Sequence, residues 1–512
     1  MSRKTRLILA IVLVVALLGY RQWQRKAEVP APAQAAATPA SDGVVVPVRR
    51  YGRLSFRPCS LPALRGGSAI EAQCTRFEVP EDPARPDGRM ISLNIAWLPA
   101  TQEADAAADP VFFLAGGPGQ AAVESFPMVA PAFAEVRNQR HVILVDQRGT
   151  GESNPLTCRW DADTLEDDIA GAVRQTEACR DRLSERAELT RYTTTDAVRD
   201  LDAVRVALGA PRINLVGVSY GTRVAQQYAM RHPQATRSIV LDSPVPNTLV
   251  LGNIFARNLD NALALQFARC TQEPACRDKV GEPRRELDAL LATLRADPPR
   301  VRFRDATTGA YREERLQPMQ VAALVRMYAY QPTAAALLPV LIHEANQGRH
   351  EGLMALSQLL LGELEDAMAM GMQFSVACSE DGDRIAVSEQ DEGTVLGHTL
   401  TEYMAAQCKV WPKAPPPADF HRPLSSGVPA LVIAGEFDPV TPPRYGREIV
   451  ESLSNGRLLV LRGQGHSVLG AGCMPRLFAQ FLESGDATKL DSACLDRLPY
   501  AQPFTSYNGW EP

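Results

Sequence analysis

Residues 213–221 read Ile-Asn-Leu-Val-Gly-Val-Ser-Tyr-Gly, an apolar strand that runs straight into a Gly-x-Ser-x-Gly pattern centred on Ser219. A helix-like stretch, Thr222 to Arg231, follows at once. Few folds let a buried strand become a helix within a residue or two. Where they do, the residue at the corner is held on a strained turn, and glycines two before and two after it leave room for close helix approach. The five-residue pattern is weak by itself in a chain with 35 glycines. The strand before it, the helix after it and the residues further downstream give it weight.

Strand-like and helix-like segments alternate around this corner. Met90–Leu98 alternates apolar and polar residues, and Val111–Ala115, Val142–Val145 and Ser238–Leu241 are short apolar runs suited to buried parallel strands. Thr195–Leu208 carries Val198, Leu201, Val204 and Leu208 at helical spacing, with Thr195 as its N-cap. Beyond residue 245 the strand signal disappears. Helical patterns take over at Asn258–Arg269, Arg284–Arg295, Pro318–Tyr330, Ala334–Asn346 and Glu351–Met370. Strand character returns at Pro429–Ala434 and Arg457–Leu461, before a helix at Arg476–Leu482. The expected architecture is an α/β fold: a mostly parallel sheet with helices on both faces and an inserted helical lid domain. The core then comprises residues 50–244 and 421–512, with the lid at 245–420.

The start of the chain is expected to stand apart. Arg3, Lys4 and Arg6 precede an apolar run, Leu7–Tyr20, and Arg21, Arg25 and Lys26 follow it. The run is short for a membrane span and suits a signal-peptide core, yet basic residues flank both sides and the nearest small-x-small site is Ala33-Gln34-Ala35. Residues 1–26 therefore read either as a cleaved signal peptide or as a retained anchor with membrane attachment through 7–20. Residues 27–49, rich in Ala and Pro, read as a linker. Both readings export the rest to a bacterial periplasm or cell envelope. Ten cysteines agree with export. They fall into sequence-local pairs, none a Cys-x-x-Cys and none beside a histidine cluster, so disulfides are favoured over zinc. Nearest-neighbour pairing is the expectation: 59–74, 158–179, 270–276, 378–408 and 473–494. A net charge of −5 gives no reason to expect a nucleic-acid partner, and no metal or organic cofactor is implied.

A serine hydroxyl is a poor nucleophile until a general base lies within reach, and that base needs an acid to fix its tautomer. Late strands are where the partners should follow. Ala430–Ala434 ends in Gly435-Glu436-Phe437-Asp438-Pro439-Val440-Thr441-Pro442, and Leu458–Leu461 leads to Gly463-Gln464-Gly465-His466. Both sites lie at the carboxyl ends of strands, where open α/β sheets bind ligands. Ser219, Asp438 and His466 are thus the candidate catalytic triad, with Glu436 and His421 as weaker alternatives. An oxyanion needs donors as well. The backbone N–H of Tyr220 is one candidate, and Gly117, in Ala115-Gly116-Gly117-Pro118-Gly119, is the other.

Taken together these motifs resemble the proline iminopeptidase and tripeptidyl aminopeptidase branch of the α/β-hydrolases. The resemblance rests on Gly-Gly-Pro-Gly, Val145-Asp-Gln-Arg-Gly-Thr-Gly151, Gly-x-Ser-Tyr-Gly, Asp438-Pro-Val-Thr-Pro and Gly-x-Gly-His466, in order over roughly residues 50–500. It implies the triad and oxyanion hole just named, and a bracing role for Asp146 and Arg148. Ala115, where iminopeptidases often have histidine, and Gly-Val-Ser-Tyr-Gly in place of Gly-Gly-Ser-Trp-Gly lean toward the tripeptidyl-aminopeptidase-like relatives. The expected activity is that of a serine exopeptidase acting on peptide substrates; an esterase or lipase on the same triad is the alternative. An exopeptidase must hold a free α-amino group, and Glu380 with Asp381, close to a Cys-x-acid element of those relatives, are the candidate substrate-binding residues.

Overall fold

The computed structural model describes residues 47–61, 69–158 and 168–509, with the side chains at 361 and 363–366 outside the description. The expected signal peptide or anchor lies outside these residues, and no helix among them is long and apolar enough to cross a membrane.

Among the described residues, ten strands form one sheet and two more form a separate hairpin. In chain order they are β1 (Arg49–Tyr51), β2 (Leu54–Leu61), β3 (Ile70–Pro80), β4 (Met90–Leu98), β5 (Val111–Leu114), β6 (Val142–Val145), β7 (Ile213–Val218), β8 (Thr236–Asp242), β9 (Arg300–Arg304), β10 (Tyr311–Arg315), β11 (Ala430–Gly435) and β12 (Gly456–Leu461). The large sheet runs β1-β2-β3-β4-β6-β5-β7-β8-β11-β12. From β6 to β12 every pairing is parallel, and β1 to β4 lead in antiparallel. Strands β5, β6 and β11 are buried along their whole length, as apolar runs without alternation require when both faces are covered. Two apolar clusters fill the layers between sheet and helices, one including Leu215, Val224 and Leu241 and the other Phe113, Val216 and Phe478.

Strands β8 and β11 pair directly, with Ala430 opposite Ile239. All chain between them is an insertion that leaves the sheet at the carboxyl end of β8 and re-enters it at the amino end of the neighbouring strand β11. Its elements are mostly helices, with Leu259, Leu263, Leu287, Leu291, Leu324 and Leu341 in an apolar cluster of their own. It is not wholly helical. Arg300–Arg304 and Tyr311–Arg315 form an antiparallel hairpin whose Val301 and Phe303 point into that cluster. The alternating sequence Arg-Val-Arg-Phe-Arg is short and charged, so its strand pattern is weak beside the longer helical ones. Expected helices 334–346 and 351–370 are each divided, giving Pro332–Ala335, Leu338–Asn346, Glu351–Ala367 and Met370–Glu380.

The helix expected at Thr195–Leu208 begins at Thr194, with Thr193 rather than Thr195 as the cap. Three threonines precede Asp196, and Thr193 is the one whose hydroxyl accepts the Asp196 N–H while donating to its carboxylate at 2.7 Å. All five nearest-neighbour disulfides are formed: 59–74, 158–179, 270–276, 378–408 and 473–494.

Arg148 braces the loops at the carboxyl ends of the strands. Its guanidinium, 1% exposed, makes a two-pronged pair with Asp200 at 2.7 Å and donates to the carbonyls of Glu81 and Arg191. Asp146 accepts from the Asn94 amide and the Val123 N–H, each at 2.8 Å. Removing one partner of such a pair strands a charge in the interior. Asp200→Ala should therefore cost about 3–5 kcal/mol, read from the urea midpoint, while Arg148→Met combined with Asp200→Leu should recover most of that loss.

Candidate active site

Ser219 occupies the corner between β7 and the helix Tyr220–Arg231, at φ 55° and ψ −123°, where a side chain is rarely tolerated. The flanking glycines explain how the corner is held. A methyl group at Gly217 would run into the Gly221 carbonyl, and one at Gly221 into the Leu114 carbonyl at the end of β5. Ser219 N–H donates to the Asp242 carbonyl at 2.9 Å, and the Ser219 carbonyl accepts the Thr222 hydroxyl at 2.6 Å. Tyr220 is buried, its phenol paired with the Thr194 hydroxyl at 2.6 Å and accepting from the Gln147 amide at 3.1 Å.

Asp438 and His466 follow β11 and β12, and the structure brings them together. His466 Nδ1 lies 2.8 Å from Asp438 Oδ2, in a setting where both side chains are nearly solvent-free. Asp438 Oδ1 accepts the N–H groups of Val440 and Thr441, each at 2.8 Å, and Oδ2 also accepts the Thr441 hydroxyl at 2.9 Å. Burial works against this carboxylate's charge, but the adjoining imidazole and these donors outweigh it and hold its pKa below the usual value. Burial likewise opposes the imidazolium of His466, and the Asp438 charge and hydrogen bond overcome it, so its pKa stands above 6.5. With Nδ1 directed at Asp438, Nε2 is the nitrogen left to take a proton. The His466 ring packs edge-on against Tyr330 of the insertion, centroids 5.0 Å apart, and its backbone N–H donates to the Tyr330 carbonyl at 2.8 Å.

The Gly116–Gly119 loop passes directly over the corner. A Cβ on Gly116 would sit 3.1 Å from that of Ser219, and Gly117 has φ 104°. Gly119 is covered by the insertion, its carbonyl accepting the Ala369 N–H at 3.0 Å.

Glu380 and Asp381, adjacent in sequence, do different things. Asp381 is fully buried and engaged. Its Oδ2 meets Arg223 at 2.9 Å and the Leu251 N–H at 3.0 Å, and its Oδ1 meets Arg384 at 3.2 Å. Glu380 Oε1 accepts the Thr194 N–H at 2.8 Å, at the N-terminus of the helix that carries Tyr220's partner, but its buried Oε2 has no hydrogen-bond partner among the described residues. Arg223 lies 3.8 Å from it. Burial outweighs that nearby charge and raises the Glu380 pKa to about 7. Of the alternatives, Glu436 accepts the Gly463 N–H at 2.7 Å, and His421 sits beside Arg384 and the Asn247 carbonyl.

Three features of the site were not recognised from sequence: Thr441 on the acid, Tyr330 on the base, and the pair Asp242-Ser243 at the end of β8. Thr441 and Asp242-Ser243 are common residue types at strand ends and turns, and Tyr330 lies two residues beyond the helix Pro318–Tyr328, far from His466 in the chain.

An elbow serine, a buried carboxylate–imidazole pair and the parallel strands that carry them are the arrangement of an α/β-fold hydrolase. A model of the alpha/beta hydrolase fold matches residues 109–470, and the chain belongs to that family. Serine protease Hip1 of Mycobacterium tuberculosis is 25% identical over 462 residues, covering 83% of this chain and 87% of the relative. A tripeptidyl aminopeptidase of Streptomyces lividans is 30% identical over 190 residues, 34% of this chain and 35% of the relative. A carboxylesterase B of Mycobacterium tuberculosis is 32% identical over 267 residues, 46% and 51% of the two chains.

Thr441→Val removes a donor to a buried carboxylate and should lower kcat/KM roughly ten- to a hundredfold, the effect of about 1.5–3 kcal/mol. In the wild type, kcat/KM should fall as the pH drops through a midpoint above 6.5, as His466 becomes protonated. Asp438→Asn should move that midpoint down, because the imidazolium loses its neighbouring charge.

Proposed function

We propose that the protein is an exported serine exopeptidase that releases single residues or short peptides from free N-termini. The observation that carries this reading is the Asp438–His466 pair at the strand ends next to the Ser219 elbow, with the half-satisfied Glu380 carboxylate close to Tyr220. Ser219 Oγ attacks the scissile carbonyl as His466 Nε2 takes its proton. The backbone N–H groups of Tyr220 and Gly117 receive the oxyanion, and His466 returns the proton to the departing amine. Water then repeats the sequence on the acyl-enzyme.

Glu380 is the anchor for the substrate's α-ammonium group. Its Oε2 lacks a donor, and an ammonium placed there would draw the buried acid into its ionised form. Asp381, already held by Arg223, supports the segment rather than the substrate. The names of the Hip1 and tripeptidyl aminopeptidase relatives support peptides as substrates, and five disulfides support an oxidising compartment such as the periplasm or cell envelope. Ester hydrolysis on the same triad is the second reading, favoured by the carboxylesterase relative.

A panel of aminoacyl, prolyl and tripeptidyl chromogenic amides, run beside short and long acyl esters, separates the two. Amide turnover that disappears in Ser219→Ala is expected; ester turnover without amide turnover would favour the esterase. Glu380→Gln should raise KM for free-amine substrates roughly ten- to a hundredfold and leave N-blocked esters nearly unchanged. Equal losses on both would refute the anchor.

A further inference from the structure

Asp242, the last residue of β8, lies between the nucleophile's strand and the acid's strand. It stands opposite Val218 of β7 on one side and Ile433 of β11 on the other. Its backbone carbonyl accepts the Ser219 N–H at 2.9 Å. Its side chain, fully buried, reaches the loop of the base: Oδ1 accepts the Val468 N–H and Oδ2 the Leu469 N–H, each at 2.9 Å. Ser243 completes the arrangement. Its hydroxyl donates to Asp242 Oδ1 at 3.1 Å and accepts the Ser467 N–H at 2.8 Å. Three consecutive backbone N–H groups directly after His466 are therefore held by two neighbouring side chains. Ser243 and Ser467 both take up left-handed backbone, at φ 56° and 63°, which a non-glycine residue adopts only when its surroundings enforce it.

We propose that Asp242, with Ser243, is a positioning residue that fixes the His466 loop relative to Ser219 and adds a second negative charge to the environment of the imidazole; this rests on the triad reading above. The backbone of Asp242 sets the nucleophile and its carboxylate sets the base, so a single residue fixes one against the other. Asp438 orients the ring of His466, whereas Asp242 and Ser243 fix the chain from which the ring projects. The charge acts separately from the geometry. Burial pushes the Asp242 acid up to about 6, and its interaction with His466 is mutual, each favouring the other's charged form. The other charged or titratable groups facing that imidazole, among the described residues, are Asp438, Arg326 and Tyr330, and the Thr441 hydroxyl lies 3.4 Å from its Nδ1.

Two variants of the full chain separate the effects. Active sites are counted with a fluorophosphonate probe, and kcat/KM per labelled site is followed against pH with a p-nitrophenyl ester, a readout that needs no amine anchor. Asp242→Asn removes the charge and turns an amide NH2 or a single acceptor toward two N–H donors. Its kcat/KM should fall about ten- to a hundredfold, and the acidic limb of its profile should move to lower pH. Ser243→Ala keeps the charge and frees only the Ser467 N–H. It should lose about three- to tenfold, with the limb in place. A fold that was merely weakened would reduce the labelled fraction without moving the limb. An unmoved limb in Asp242→Asn, or both variants within about twofold of wild type per site, would overturn the proposal. If Asp242→Asn fails to fold, Ser243→Ala within twofold of wild type overturns it alone. Wild type that takes up no probe at Ser219 would instead overturn the triad reading itself.

Discussion

Backbone packed against backbone at the Ser219 corner is the constraint on which the site depends. Gly217 and Gly221 carry no side chains because the chain on one side of the turn lies against the chain on the other, and against the end of β5. That contact forces Ser219 into a conformation it would not choose. It also sets the start of the helix Tyr220–Arg231, and so places Tyr220 within the network of Thr194 and Gln147. Strain of about 1–3 kcal/mol at such a residue persists only in a well-determined surrounding. Buried β7 and the first turn of that helix provide it.

The insertion is not simply laid over this site. It supplies backbone and side-chain contacts to the loops that line it: the Tyr330 carbonyl to the His466 N–H, the Ala369 N–H to the Gly119 carbonyl, and the Glu380 carboxylate to the Thr194 N–H. Each joins the insertion to a different part of the candidate site. His466, the Gly116–Gly119 loop and Thr194 are each held partly by residues beyond the sheet. The Cys378–Cys408 disulfide lies in the same segment, two residues before Glu380.

Much of this was legible in the chain. Buried parallel strands are written as apolar runs, so β5, β6 and β11 stand out most clearly, and the segments following β7, β11 and β12 hold the three candidate triad residues in order. The lead-in strands β1 to β3 were not read, because their exposed positions dilute the alternation. The hairpin β9–β10 was missed for a related reason: five residues flanked by strong helices offer too little pattern. At the site, sequence drew attention to residue types with familiar chemistry. It could not reveal that Asp381 hydrogen-bonds Arg223 while one Glu380 oxygen has no hydrogen bond among the described residues, since the orientation of two adjacent acids depends on a helix register and on partners over 100 residues away. Nor could it reveal Asp242, whose importance lies in which N–H groups it receives.

The direct pairing of β8 with β11 has a consequence for how such a protein can change. The sheet closes on itself without the chain in between, so the length and content of that chain are not constrained by strand register. Its two ends attach to neighbouring strands, at the carboxyl end of β8 and the amino end of β11, and a long excursion adds little closure cost as it grows. Yet the excursion holds one side of His466, the cover of the Gly116–Gly119 loop and the candidate anchor. A lineage that rebuilt this segment would keep the candidate triad on an unaltered frame and exchange, in one stroke, the surface around it.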